Sequence, residues 1–445
     1  QRLQSMGVPS KAREAQGPPG LLLPIRPLLV DGFEHVLWDT TDRADPIIGK
    51  VFEGDTWLDP SIRVSDCGVV HVTTDSTQVF LHHSSPFDGI SLTAVLPIIR
   101  GLTVKYNADR ESGGVVLLLI TGGAGYIGSH VVLGLLDRGR EVLVLDNLSR
   151  GHEDLVGKAL FEECDLRDLA QVRKVLGKYP IDGVLHFASL SLVGDSMSDP
   201  HSYYRNNIGG TMNMITAMLE AGVERIVFSS SAAVYGEPRV MPIREEAPKA
   251  PTNPYGETKL FIESMLRRSF EAYGIKSVSL RYFNAAGADP KGRTGEDHHP
   301  ETHLVPLALD AVLGKVEALT VYGNDYPTHD GTCIRDYVHV SDLADAHIEA
   351  LEGLEKGNLG CEAFNLGNGK GFSVLEIVSA VRSVTGRGFP LKFTSRRPGD
   401  PAVLVASSAR AERELGWKRR FTDIDEIIET AWRWHQKRFK GGRRP

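Results

Sequence analysis

Three glycines at a spacing of three residues interrupt an apolar segment of the chain, LLLITGGAGYIG. Before them, VVLLLI (115–120) is short and continuously apolar, as in a strand buried on both faces of a parallel sheet. After them, YIGSHVVLGLLDRG has apolar residues at helical spacing. Gly122 permits a tight turn, Gly125 lets backbone approach a ligand, and Gly128 lets the helix pack on the strand. The segment predicts a strand–turn–helix unit that binds the pyrophosphate of a dinucleotide.

The next apolar segment, EVLVLD (141–146), ends in an acidic residue. Asp146 follows Gly128 at about the interval expected of the residue that binds the adenosine ribose. A carboxylate accepts hydrogen bonds from a ribose 2′-hydroxyl and repels a 2′-phosphate, so the sequence favours NAD over NADP. The nearby Arg150 leaves NADP as the minor alternative.

Apolar strands alternate with helical segments along the middle of the chain, which predicts an α/β fold with a Rossmann-like, doubly wound parallel sheet. Further predicted strands are IDGVLHFA (181–188), ERIVFSS (224–230) and KSVSLRYFN (276–284). Later helices are predicted at 373–386, where Ser373 and Glu376 form a capping box, and at 423–439. We therefore expect a dinucleotide-binding domain at 114–290 and a smaller C-terminal α/β lobe at 291–445, some segments of which return to the first domain.

Residues 1–113 form an N-terminal extension with a different character. The first 20 residues are rich in glycine, proline and charge, which predicts a disordered tail. Two short β-branched segments, GVVHVTT (68–74) and TQVFLHH (77–83), predict antiparallel strands of a small β module or of a loosely folded segment.

Composition excludes several classes of partner. The 445-residue chain has a net charge of −7, and its longest basic cluster is the terminal KGGRRP, so we expect no nucleic-acid partner. Apolar segments fall short of the ~20 residues of a membrane span, so we expect no membrane partner. The four cysteines lie far apart and form no CxxC motif, which favours a reducing, cytoplasmic setting.

A reactive set is predicted where FSSSAAVYG (228–236) follows a strand, because ligands bind at the carboxyl ends of strands in open α/β sheets. Shortly after, Tyr255 and Lys259 lie four residues apart, on one helix face if Pro254 opens a helix. A neighbouring ammonium and a cationic nicotinamide both favour the tyrosine phenolate, which then acts as a general base. The alternative is an interfacial tyrosine with an incidental lysine.

The segment EDHHPETH contains His298, His299 and His303, which suggests a metal site. Their spacing is not helical throughout, and we find no cysteine or carboxylate set that completes a tetrahedron. We therefore expect a solvated loop beside the ligand site and no metal.

Several motifs together resemble the UDP-glucose 4-epimerase family, a branch of the extended short-chain dehydrogenases/reductases. They are TGGAGYIGSH, LDNLSRG, SSSAAVYGE, NPYGETK, LRYFNAAGADP, YGNDYPTHDGTCIRDYVHVSDLADAH, FNLGNGKGFSVLE and RRPGDPA. The resemblance runs from about Val115 to the C-terminus. It implies interconversion of UDP-glucose and UDP-galactose with tightly held NAD, by transient oxidation at sugar C4 to a 4-keto intermediate. It also implies a UDP-sugar partner, a nucleotide-sugar-binding C-terminal lobe and a homodimer formed through a helix pair.

The resemblance also implies a role for individual residues. The catalytic base is Tyr255, with Lys259 as its electrostatic partner and Ser231 as the hydroxyl nearest the sugar. Cofactor contacts fall on Gly122, Gly125, Tyr126, Ile127, Gly128, Asp146, Asn147, Asp165, Leu166, Phe187, Ala188, Ser189, Asn206, Tyr255, Lys259 and Tyr282. Substrate contacts fall on Ser231, Tyr255, Asn284, His303, Leu304, Tyr322, Arg335, Arg397 and Asp400.

Three positions depart from the family pattern. Ser191 stands where some members carry a phosphate-binding lysine, and His303 stands where some carry an asparagine. Leu404 stands where a small residue admits an N-acetyl group and a large aromatic residue excludes it. Activity on UDP-N-acetylhexosamines or UDP-pentoses, or a catalytically silent NAD-binding scaffold, are therefore the alternatives.

Overall fold

A computed structural model describes residues 117–397 and 400–439, together with the backbone of six short strands between residues 36 and 82. The chain divides into two compact units, residues 1–107 and 108–445. Among the described residues we find no helix with the length and apolar character needed to cross a membrane.

The described part of the first unit consists of two three-stranded antiparallel sheets. One contains β1 (Val36–Trp38), β2 (Gly49–Glu53) and β3 (Thr56–Leu58), and the other β4 (Ser61–Val64), β5 (Val69–Thr73) and β6 (Gln78–His82). The antiparallel pairing predicted for 68–74 and 77–83 is that of β5 with β6. The predicted disordered tail lies outside the described residues.

The second unit is built on a seven-stranded, all-parallel sheet, which confirms the predicted doubly wound α/β fold. Its strands are β7 (Leu117–Thr121), β8 (Glu141–Asp146), β9 (Leu160–Glu163), β10 (Ile181–His186), β11 (Arg225–Ser231), β12 (Lys276–Tyr282) and β16 (Cys361–Leu366). Their order across the sheet is β9–β8–β7–β10–β11–β12–β16.

The strand order reverses at β7. From β7 the chain moves to β8 and β9 on one side, then crosses to β10 on the other. The loops after β7 and β10 therefore diverge and leave a crevice at the carboxyl ends of these strands, which is the ligand position in sheets of this type.

Helices cover both faces of this sheet, as the continuously apolar strands require. The helices are α1 (Tyr126–Asp137), α2 (Leu169–Lys178), α3 (Val193–Ser198), α4 (Pro200–Tyr203), α5 (Gly210–Ala221), α6 (Pro254–Tyr273) and α8 (Val340–Glu355), with a π-helical segment, Tyr204–Gly209, between α4 and α5. One hydrophobic core joins α1 and α8 to one face of the sheet, and a second joins α2, α5 and α6 to the other face.

A further group of short strands and helices, with its own hydrophobic core, lies in the same compact unit. β15 (Ile334–His339) pairs with β13 (Asn284–Ala286), β17 (Gly371–Ser373) and β19 (Val403–Leu404), and β14 (Leu319–Tyr322) pairs with β18 (Leu391–Thr394). Its helices are α7 (Leu304–Val312), α9 (Val374–Thr385), α10 (Ala409–Glu414) and α11 (Ile424–Arg438). The predicted capping box is confirmed, since Ser373 Oγ accepts a hydrogen bond from Glu376 N at 3.1 Å and Ser373 N donates to the Glu376 carboxylate at 2.7 Å.

Candidate active site

The glycine turn connects β7 to α1 at the reversal point of the sheet. Gly122 has a φ of +69°, and a Cβ there would lie 2.5 Å from the nitrogen of Ala188. A Cβ on Gly128 would lie 2.2 Å from the carbonyl oxygen of Gly122. Both positions exclude a side chain, and the first also needs a left-handed backbone that favours glycine. The turn is therefore packed tightly against the end of β10.

Gly125 is on the open side of the turn. The nearest atom to an added Cβ would be the Gly122 carbonyl oxygen, at 3.3 Å. Gly125 is also the N-cap of α1 and has no side chain with which to bond the first N–H groups of that helix, at Tyr126 and Ile127. N–H groups at a helix N-terminus that lack a side-chain cap and adjoin a glycine backbone fit a pyrophosphate.

Asp146 ends β8 next to this turn. One carboxylate oxygen accepts a hydrogen bond from Ala124 N at 3.1 Å, and the other accepts one from Leu148 N at 2.9 Å. Burial raises the pKa of Asp146, although both hydrogen bonds oppose this effect. The carboxylate keeps further lone pairs for other donors, so its position fits a ribose contact.

Asn147 and Asp165 are joined by a hydrogen bond of 3.2 Å from the Asn147 amide. Arg167 donates to both Asp165 oxygens, with Nε at 2.9 Å and Nη2 at 2.6 Å, and these bonds lower the pKa of Asp165 to about 2. Leu166 is buried in the core beside them. Asp165 is thus held ionised as a hydrogen-bond acceptor after β9.

The backbone after β10 turns towards the glycine turn. Phe187 N and Ala188 N both donate to Thr121 O, at 2.9 and 3.0 Å. This doubled contact ends the strand at His186, before the predicted end at residue 188. The two residues therefore border the crevice, where cofactor contacts are predicted for them.

Asn207 is an anchor that the sequence reasoning missed. Its buried side chain accepts a hydrogen bond from Leu190 N at 2.8 Å and donates to Leu190 O at 3.0 Å. The predicted cofactor residue Asn206 donates to the Asn207 amide oxygen at 3.0 Å, and the Ser189 hydroxyl donates to Leu190 O at 3.1 Å. The signal was the asparagine pair in RNNIGG, in which a buried amide can bind both backbone groups of a neighbouring loop.

Ser231, Tyr255 and Lys259 meet at the carboxyl end of β11. Pro254 opens α6, as predicted, so Tyr255 and Lys259 lie one turn apart on the same face. Lys259 Nζ lies 5.6 Å from the centroid of the Tyr255 ring, and the two residues are 2% and 7% exposed. Ser231 Oγ accepts a hydrogen bond from Ala233 N at 3.1 Å, which orients its own hydrogen bond with Tyr255.

Burial dominates the electrostatics of this set. It raises the pKa of Tyr255 and outweighs the opposing hydrogen bond from Ser231. It also lowers the pKa of Lys259 to about 7, with Glu263 acting in the opposite sense. Lys259 Nζ donates to Ser229 O at 2.9 Å. In the protein alone, Tyr255 is therefore a protonated phenol at neutral pH, and further positive charge is needed to make it a base.

Tyr282 lies beside the reactive set at the end of β12. Its hydroxyl hydrogen-bonds Ser229 Oγ at 2.5 Å. Burial and the nearby Tyr255 raise its pKa, so Tyr282 remains protonated at neutral pH. Tyr282 is thus held against Ser229 beside the reactive set. Its contact with a nicotinamide stays a prediction.

Two arginines of the predicted substrate site have aromatic or acidic partners. Arg335, on β15, forms an ion pair with Asp400. The Arg397 guanidinium stacks over the Tyr322 ring at 4.0 Å from its centroid. Guanidinium groups with both stacking and charged partners are suited to planar, anionic ligands. Among the contacts of the described residues, none joins these two pairs to the serine–tyrosine–lysine set.

Asn284 and Leu304 occupy the starts of two elements. Asn284 begins β13, two residues after Tyr282, and lies opposite Tyr337 of β15. Leu304 begins α7, whose N-cap residue His303 makes no side-chain capping hydrogen bond. His303 therefore leaves the N–H groups of Leu304 and Val305 without a side-chain cap, and Pro306 supplies no N–H, so this helix end suits an anion.

His303 belongs to a cluster that contradicts one expectation. Glu296, His298, Glu301 and His303 place one potential ligand atom each within 4.8 Å of one another. The expectation that no carboxylate set joins these histidines is wrong, because the irregular 296–303 loop folds back on itself. Burial lowers the pKa of His298. Glu296 and Glu301 outweigh this effect and raise the pKa of His298 to about 10.

Known proteins share both the sequence and the fold. Residues 118–367 match the NAD dependent epimerase/dehydratase family. The UDP-glucose 4-epimerase of Halalkalibacterium halodurans is 53% identical over 321 residues, which are 72% of this chain and 96% of the relative.

Two solved structures cover the same region. The UDP-glucose 4-epimerase from Brucella ovis in complex with NAD is 46% identical, with a TM-score of 0.70 over 72% of this chain and 98% of its own. The enzyme from Bifidobacterium longum in complex with NAD⁺ and UDP is 38% identical, with a TM-score of 0.69 over 74% of this chain and 100% of its own. The chain belongs to the NAD dependent epimerase/dehydratase family and, within it, to the UDP-glucose 4-epimerases.

Proposed function

We propose that this chain interconverts UDP-galactose and UDP-glucose with bound NAD as its cofactor. The observation that carries the proposal is the set formed by buried Tyr255 and Lys259 with half-buried Ser231 at the carboxyl end of β11, two strands from the glycine turn in one parallel sheet. Relatives at up to 53% identity bear this activity in their names. They do not favour UDP-N-acetylhexosamines or UDP-pentoses, nor a silent scaffold.

The cofactor fits the crevice between β7 and β10. The glycine turn and the N-terminus of α1 bind its pyrophosphate, and Asp146 and Asn147 bind its adenosine ribose. Asp165 and Leu166 flank the adenine. Phe187, Ala188, Ser189, Asn206 and Tyr282 border the remainder. When bound, NAD supplies a positively charged ring that accepts hydride from sugar C4 and returns it.

Proton transfer falls to the tyrosine. Tyr255 takes the proton of the sugar 4-hydroxyl as the C4 hydride leaves, and it returns that proton in the second half of the reaction. Ser231 donates a hydrogen bond to the same sugar oxygen and keeps it near the phenol. Lys259, held by Ser229 O at 2.9 Å, adds positive charge beside the ring. C4 is inverted because hydride returns to the opposite face of the sugar, and no net oxidation results because hydride and proton both return.

The UDP part of the substrate fits the second set of residues. Arg335 and Arg397 bind the diphosphate, and Asp400 binds the uridine ribose. Tyr322 lines the uracil pocket. Asn284, His303 and Leu304 bind sugar or phosphate, supported by the N-terminus of α7, which His303 does not cap with its side chain. The Bifidobacterium longum structure contains UDP, which is the ligand that this set requires.

The assay is incubation with UDP-galactose, without added cofactor or reductant, followed by chromatographic separation of the nucleotide sugars. We expect equilibration with UDP-glucose. Tyr255→Phe should slow turnover at least ~100-fold, the scale of a lost general base. Tyr273→Phe is the matched control, because Tyr273 lies on the same helix and is 64% exposed. Near-normal turnover by Tyr255→Phe defeats the assignment of the base.

We propose that the protein acts as a homodimer in a reducing, cytoplasmic setting. Large apolar side chains are exposed near α5 and α6: Tyr204 is 36%, Met212 54% and Phe261 54% exposed. An exposed apolar patch on neighbouring helices is suited to a second copy. The three described cysteines are free thiols, in keeping with the setting. Light scattering should give twice the mass of one chain.

A further inference from the structure

The 296–303 loop brings four metal-binding side chains together outside the reactive set. His298 Nδ1 lies 3.3 Å from Glu296 Oε1 and 3.9 Å from Glu301 Oε1. His303 Nδ1 lies 3.9 Å from Glu301 Oε1 and also contacts Glu296 Oε1. In a tetrahedral zinc site with bonds of ~2.0–2.1 Å, neighbouring ligand atoms lie ~3.3 Å apart. Three of these four distances lie within about 0.6 Å of that spacing, whereas the direct contact between His303 and Glu296 is shorter and must lengthen when zinc enters.

We propose that Glu296, His298, Glu301 and His303 form a structural zinc site. Two imidazoles and two carboxylates make a complete four-coordinate set, and all four ligands come from the protein. A closed set of this kind is typical of a structural zinc site, whereas catalytic zinc keeps an open position. Calcium and magnesium prefer more ligands, and all of them oxygen.

Charge supports a divalent cation at this position. The Glu296 and Glu301 side chains are only 8% and 3% exposed, so two carboxylates are held largely away from water. Buried charges are costly unless they are paired or bind a metal. In the metal-free protein the histidines supply the countercharge, since Glu296 and Glu301 raise the pKa of His298 to about 10. Zn²⁺ replaces the protons of the two imidazoles and cancels the charge of the two carboxylates.

Surrounding groups hold the ligands in place, as second-shell contacts do in metal sites. Glu301 Oε1 accepts hydrogen bonds from the backbone N–H groups of Thr302 and His303, at 2.8 and 3.0 Å. The carbonyl oxygen of Glu296 accepts a hydrogen bond from Trp434 Nε1 at 3.0 Å. The His298 ring meets Tyr126 edge to face, with centroids 6.1 Å apart.

The site ties the start of α7 to the start of α1. His303 immediately precedes α7, and Tyr126 is the first residue of α1. Zinc bound to His298 and His303 therefore stabilises the 296–303 loop, which contacts the start of α1 and leads into α7. The consequence for substrate binding rests on the proposed function, but zinc binding itself does not.

The test is zinc binding by the full-length, tag-free protein. The protein is treated with a chelator, dialysed, and titrated with ZnCl2 in a calorimeter, and its zinc content is measured by plasma mass spectrometry. We expect about one zinc per chain and a higher melting temperature with zinc than after chelation. Binding of Co²⁺ to the same protein should give the intense visible absorption of a tetrahedral complex.

His298→Asn removes one ligand and should weaken zinc binding at least ~100-fold, since even an outer-shell partner contributes ~10–100-fold. His299→Asn is the matched control, because His299 is the exposed neighbour outside the cluster. It should bind zinc as the wild type does. If His298→Asn does not fold, Glu301→Gln removes another ligand for the same comparison.

Two results overturn the proposal. One is a metal-stripped wild-type protein that takes up no zinc at equimolar concentration. The other is a folded His298→Asn protein that binds zinc as tightly as His299→Asn does. Both measurements are independent of catalysis, so failure of the zinc site and failure of the proposed activity are distinguishable.

Discussion

Lys259→Met should inactivate the enzyme and, at neutral pH, stabilise the cofactor-free protein. The ammonium of Lys259 is buried, at 2% exposure, and it donates a hydrogen bond to Ser229 O. Methionine has a similar length and no charge. The substitution therefore removes a buried charge that opposes folding, together with one hydrogen bond.

The size of the effect follows from the pKa of Lys259, which burial lowers from 10.5 to about 7. At ~1.36 kcal/mol per pKa unit, the buried charge opposes folding by roughly 4 kcal/mol at pH 7. Losing the donor to Ser229 O costs about 1–3 kcal/mol. We expect Lys259→Met to raise the free energy of unfolding by roughly 1–3 kcal/mol at pH 7.

The pH dependence separates these two contributions. The folded-state pKa lies below the unfolded-state value, so the unfolded chain binds more protons between about pH 7 and 10.5. The stability of the wild type therefore rises with pH across this window, and the variant lacks this rise. At pH 9 the charge opposes folding by only about 2 kcal/mol. The gain in unfolding free energy of Lys259→Met over the wild type should therefore be about 2 kcal/mol smaller at pH 9 than at pH 7.

Urea denaturation of both cofactor-free proteins at pH 7 and pH 9 measures this difference. Lys356→Met is the control, because its side chain is 63% exposed and forms only an i,i+4 pair with Glu352. It should change stability by less than ~0.5 kcal/mol at either pH. A difference between Lys259→Met and wild type that stays constant from pH 7 to pH 9 would refute the reasoning.

Two further substitutions, each with a matched control variant, test the turn and the core. Gly128→Ala places a methyl group 2.2 Å from a carbonyl oxygen of the turn, so the purified protein should retain at least ~10-fold less NAD; Gly177→Ala, with nothing within 4 Å, should retain it and stabilise α2 by ~0.5–1 kcal/mol. Glu263→Gln breaks a buried pair with Arg281 and should cost about 3–5 kcal/mol, measured by denaturation. Glu220→Gln, in an exposed pair, should cost less than ~1 kcal/mol. Equal losses in the two glutamate variants would contradict the role of burial.

Local spacing accounts for what the sequence predicts well. The glycine turn, the strand ending at Asp146 and the helix opened by Pro254 each depend on neighbouring residues, and all three appear in the structure. The boundaries of other strands depend on distant contacts. The predicted strand 276–284 is divided at Phe283, because β12 continues the large sheet whereas β13 pairs with β15.

The histidine loop shows where spacing fails. Glu296, His298, Glu301 and His303 follow no helical or strand period, so the sequence gives no reason to place them together. Their convergence depends on contacts with Tyr126 and Trp434, which are far away in the chain. The ion pair between Arg335 and Asp400 likewise comes from the structure, since the family resemblance names both residues as substrate contacts but no local rule joins them.

β16, residues 361–366, is the edge strand next to β12 in the large sheet, and α8 covers one face of that sheet. A ribosome must therefore synthesise more than three-quarters of the chain before β12 acquires its last neighbour. A nascent polypeptide ending near residue 290 still lacks β16 and exposes the unpaired edge of β12. We therefore expect a fragment that ends near residue 290 to associate through this edge when it is made as an independent protein.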